Sequence, residues 1–89
     1  MVNPRAVRDN LKEWLKNPTW AKYYNGAKTE LLREYIALDF YASETENEEA
    51  FEKMDRLLMD MNKAEVQYLY ENCIGPEKAK YHKLLERMN

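Results

Sequence analysis

AKTELLREYIALDFYAS, residues 27–43, reads as one helix, and its width decides the architecture. At about 100° per residue, Leu31, Leu32, Tyr35, Ile36, Leu38 and Phe40 cover roughly half the circumference, more than the stripe a surface helix needs. A helix apolar over that arc is touched on two sides, so it belongs at the centre of a helical bundle. Asp39 breaks the pattern, because it projects into the arc between Leu32, Tyr35 and Ile36. A carboxylate in such company must lose its charge or find donors. The structural expectation is a bond from a Tyr hydroxyl, a Trp N–H or an adjoining helix start; the functional alternative is a general base or a specificity contact.

Outward from this segment, the punctuation residues mark where the other helices begin and end. Asn3-Pro4 and Asn17-Pro18 each place a capping side chain before a proline, whose missing N–H costs nothing in a first turn. The first helix is expected from Pro4 to Lys16, with Val7, Leu11, Trp14 and Leu15 inward. The second, TWAKYYN after Pro18, is stopped by Gly26. Thr45-Glu46-Asn47-Glu48 has the form of a capping box for the fourth helix, with Ala50, Phe51, Met54, Leu57, Leu58 and Met61 on its inner face. Asn62-Lys63-Ala64-Glu65 is a second box, opening a helix that ends near Cys73 with Val66, Leu69 and Tyr70 inward. Gly75-Pro76 joins it to a last helix running to Met88, which buries Tyr81, Leu84, Leu85 and Met88.

These signals predict an all-α fold: a compact single-domain bundle of five to six short helices over residues 1–89, with a central helix near 27–43 and a C-terminal helix pair. Eighty-nine residues are too few to divide into two cores. Cys73 is the single cysteine, which excludes an internal disulfide and fits a reducing, cytoplasmic location. The N-terminal MVNPRAVRDN has no apolar core of a secretory signal, and no run is long enough for a membrane span.

Net charge is −2, unevenly spread. Residues 1–28 hold six Lys/Arg against two acids, whereas residues 29–60 hold ten acids against Arg33, Lys53 and Arg56. Two faces of opposite sign, or two segments facing each other, are expected.

No catalytic constellation stands out, so no enzyme, cofactor or metal site is expected. His82 and Glu86 share a helix face but lack further ligands. The acidic run Glu48, Glu49, Glu52 and Asp55 lacks the glycine and oxygen spacing of a calcium loop. Cys73, on an apolar face, reads as an inert core thiol.

The leading functional expectation is a protein-interaction module: an adaptor, a regulatory or inhibitory subunit, or a homodimer. Trp20, Tyr23, Tyr24 and Tyr68 are its expected anchors, with Arg8 and Lys12 as the charged rim. Met59 and Tyr68 fall opposite the inward faces of their helices. The alternative is a nucleic-acid binder, using the basic first helix or a C-terminal helix-turn-helix whose last helix presents Lys80, Lys83 and Arg87.

Overall fold

Asparagine and threonine side chains set the starts of the first five helices. The computed structural model describes residues 2–73 and 75–88, and its helices are α1 (Pro4–Trp14), α2 (Pro18–Asn25), α3 (Glu30–Thr45), α4 (Glu48–Met59), α5 (Lys63–Asn72) and α6 (Lys78–Met88). There is no strand among the described residues. Asn3 accepts the Arg5 N–H and Asn17 the Thr19 N–H, both at 2.9 Å, as the Asn-Pro pairs predict. The box at Asn62 forms in full: Asn62 accepts from the Glu65 N–H, and the Glu65 carboxylate accepts from the Asn62 N–H.

Several boundaries differ from the sequence expectation, each for a local reason. α1 stops at Trp14, short of Lys16, because Asn17 must be extended to precede Pro18. The last turn tightens on the way out, with Lys16 N–H on the Glu13 carbonyl and Asn17 N–H on that of Trp14. α3 begins at Glu30, where Thr29 accepts the Leu32 N–H, and runs on to Thr45. Thr45 is therefore not a cap for α4: its hydroxyl donates to the Tyr41 carbonyl within α3, and Asn47 caps α4 through the Ala50 N–H. Between the two helices Glu46 takes the left-handed conformation, φ 54°, that closes α3. Gly26, by contrast, ends α2 at φ −76°, so its lack of a side chain serves space rather than backbone freedom. A Cβ there would stand 2.5 Å from the Tyr68 hydroxyl.

α3 is central, as its broad arc predicts, and packs against α1, α2 and α4, while α5 and α6 pack on each other. Leu32, Tyr35, Ile36, Ala37, Leu38, Phe40 and Ala42 are all buried on it. All but Ala37 join Met54, Leu58, Met61, Val66, Leu69, Tyr81 and Leu85 in one apolar cluster. The radius of gyration is 12.5 Å, close to the roughly 12 Å of a compact chain of this length. Among the described residues, two bonds between side chains link distant helices at this core. The Tyr35 and Tyr81 hydroxyls meet at 2.8 Å, buried, and the Thr29 hydroxyl donates to Glu65 at 2.7 Å, which couples the start of α3 to the start of α5. Phe51, expected inside, is 45 % exposed. It lies on the edge of α4 that Leu58 shares, but earlier in the helix. No described helix is long and apolar enough to cross a membrane.

Candidate functional site

Two of the concavities among the described residues gather several of the residues singled out from sequence. The first lies where α1, α2, α3 and the segment between α5 and α6 meet. Its wall is an aromatic cluster: Trp14 stacks on Phe40 with ring centroids 4.6 Å apart, and Trp20 stands 5.2 Å from Trp14 and edge-on to Phe40 at 5.5 Å. Tyr23 continues the cluster at 6.3 Å from Phe40. Asp39 and Glu77 complete a half-enclosed cleft of about 160 Å³, which Cys73 and Tyr81 also border. Asp39 has no hydrogen-bond partner among the described residues, so the donors expected for it are not there. Burial raises its carboxyl to about 6, with Glu77 adding to the rise and Lys80 opposing it. The Tyr23 hydroxyl is also fully buried and unpartnered. Burial first, then the neighbouring Asp39, drives its pKa far above the ordinary phenol value.

The second concavity is an open groove of about 590 Å³ between α4 and α6. Leu58, Met59, Ala79 and Leu84 form its apolar surface, and Lys80, Lys83, Arg87 and Asp55 rim it. Lys80 is held by Asp55 at 2.8 Å, and Lys83 and Arg87 have no ion pair among the described residues. Met59 is 85 % exposed beside it, as its position opposite the inner face of α4 predicts.

The residues singled out from sequence fall in different places. Tyr23 is only 5 % exposed, so this side chain sits in the core and not in a surface patch. Trp20 and Tyr24 are half-buried against the core. Tyr68 is half-buried as well, not outward: its hydroxyl donates to the Tyr23 carbonyl at 2.6 Å, and its ring lies parallel to that of Tyr23, 6.1 Å away. Trp20, Tyr23 and Tyr24 therefore do not join into an exposed patch. Arg8 and Lys12 are exposed on α1 without an ion pair among the described residues, one residue on from Val7 and Leu11 and so about 100° around the helix from its inner face. Lys80, Lys83 and Arg87, in contrast, do converge, on the α4/α6 groove. His82 faces Glu86 at 3.2 Å, and no three potential metal ligands converge among the described residues.

Sequence reasoning missed the groove because it paired the cations of α6 with α5, its neighbour in the chain. The signal was present in α4, whose exposed Met59 follows the buried Leu58. No protein-family model, curated protein or solved structure matches the chain.

Proposed function

We propose that this chain is a non-catalytic protein-interaction module whose docking surface is the α4/α6 groove, and that its occupant is α4 of a second copy. The observation that supports this most directly is Met59, 85 % exposed at the lip of an apolar groove. A large apolar side chain left in water beside an unfilled apolar surface is what an interface core looks like before its partner arrives. Charge selects the occupant. Lys83 and Arg87 call for an acidic amphipathic helix, and α4 is one: Glu48, Phe51, Glu52 and Asp55 fall within about 100° of its circumference. Phe51 is the other large apolar residue exposed among the described residues. In a two-fold dimer each copy would seat its Phe51 in the partner's groove and its Glu48 and Glu52 against the partner's Lys83 and Arg87, so every contact would be made twice.

Sedimentation equilibrium from micromolar to millimolar concentration tests this. A dimer is expected, broken by Met59→Glu and by Arg87→Glu and restored when Arg87→Glu is combined with Glu52→Lys. A monomer at every concentration overturns self-docking. If that monomer binds duplex DNA with an affinity that falls steeply with salt and is lost on replacing Lys83 and Arg87, the groove serves nucleic acid instead.

A further inference from the structure

The α4/α6 groove holds a group whose reactivity docking does not use: the thioether of Met59. The described methionines differ sharply in access to solvent. Met54 and Met61 are buried in the core and Met88 is half-buried against it, whereas Met59 is 85 % exposed. Thioethers are readily oxidised to sulfoxides, and access decides which of several equivalent sulfur atoms reacts first. Position gives that exposure a consequence. Met59 lines the groove with Leu58, Ala79 and Leu84. As a thioether it is flexible, apolar and a good neighbour for an aromatic ring, which suits the Phe51 that a second copy would bring. As a sulfoxide it is polar and demands a hydrogen-bond donor. The side chains of Leu58, Ala79 and Leu84 offer none. A bond from Lys83 or Arg87 would take that cation away from the acids of the second copy. Docking is weakened either way.

We infer that Met59 is a reversible oxidation site that switches self-docking off, an inference that rests on the proposed docking of α4 in the groove. The oxidant class is a peroxide. The sulfur lone pair attacks one peroxide oxygen, the S–O bond forms as the O–O bond breaks, and the other oxygen leaves as water. Sulfur loses two electrons and the peroxide gains them. A dithiol reductase reverses the step, releasing the sulfoxide oxygen as water while its own thiols become a disulfide. Because docking shields Met59, the oxidant acts on the undocked copy, and the sulfoxide then keeps that copy undocked.

Hydrogen peroxide in excess is the probe. After brief treatment a thiol reductant returns Cys73 to its thiol and leaves the methionine sulfoxide in place. Fragment-ion mass spectrometry should find the added oxygen at Met59 about tenfold or more faster than at Met54 or Met61. The reaction at Met59 should slow as the protein is raised from micromolar to millimolar. Sedimentation equilibrium should show dimerisation weakened about a hundredfold, roughly tenfold for each of two equivalent contacts. Reductases for the two sulfoxide epimers, applied together, should restore it. Met59→Leu has an association constant of its own, and peroxide should leave that constant where it was. A reduced parent that stays monomeric removes the docking reading and this inference with it. If the reduced parent dimerises, four results overturn the inference alone: Met54 or Met61 oxidised ahead of Met59, a rate at Met59 that ignores protein concentration, an oxidised form that dimerises equally well, or an equal loss of association in treated Met59→Leu.

Discussion

Replacing Asp39 with asparagine should stabilise the protein at neutral pH and leave its stability in acid almost unchanged. In the folded chain, burial lifts this carboxyl from 3.8 to about 6, with Glu77 reinforcing the effect and Lys80 opposing it. The folded state thus holds the proton more tightly than the unfolded chain does. The associated stability is fully present below about pH 4 and is lost as the pH rises through about 6. At about 1.4 kcal/mol per pH unit, the gap corresponds to a penalty of about 3 kcal/mol once the group is ionised. Water reaching the half-buried side chain reduces this to about 2 kcal/mol. That is a large share of the several kcal/mol by which a domain of this size is stable. Asparagine keeps the shape and removes the charge. Urea unfolding of parent and variant across a pH series provides the measurement. Their difference should open from near zero at about pH 4 to about 2 kcal/mol at about pH 7.5. A fixed cost of burying the amide would displace that curve without changing its slope. A difference that stays level across the range, or narrows as the pH rises, refutes the reasoning.

Two backbone positions give further tests. Glu46 holds a left-handed conformation that a side chain disfavours, so Glu46→Gly should add about 1 kcal/mol and raise the melting temperature by about 4–8 °C. An unchanged or lower melting temperature would contradict this. Gly26→Ala would push a methyl against the Tyr68 hydroxyl, and should cost about 1 kcal/mol through the lost bond to the Tyr23 carbonyl. In a Tyr68→Phe background the same change should be neutral or stabilising, and equal costs in both backgrounds would show that the two positions are not coupled.

Much of the fold is written in short-range chemistry. Asn3, Asn17 and the Asn62–Glu65 box each act through bonds within a few residues, and the broad apolar arc of α3 follows from spacing alone. What failed depended on distant partners. Thr45 and Asn47 are both good caps, and the choice between them rests on Glu46 adopting a conformation that its side chain does not announce. Gly26 looks like an ordinary helix stop, although its use is set by Tyr68, far along the chain. Helix periodicity leaves Tyr23 and Tyr68 on the surface because it cannot show that the Tyr68 hydroxyl of α5 reaches the Tyr23 carbonyl of α2. The groove was hidden for the same reason, since Leu58 and Leu84 come to line one concavity only once the chain has folded.

The single carboxylate of Glu65 serves two helix origins at once, receiving the Asn62 N–H and the Thr29 hydroxyl. Its first duty is satisfied as soon as one turn winds; the second waits until a stretch of chain 36 positions long has closed on itself. Fraying at the beginning of the central rod is therefore tied to whether the penultimate one stays wound, and amide protons at both places should exchange with solvent as one cooperative unit.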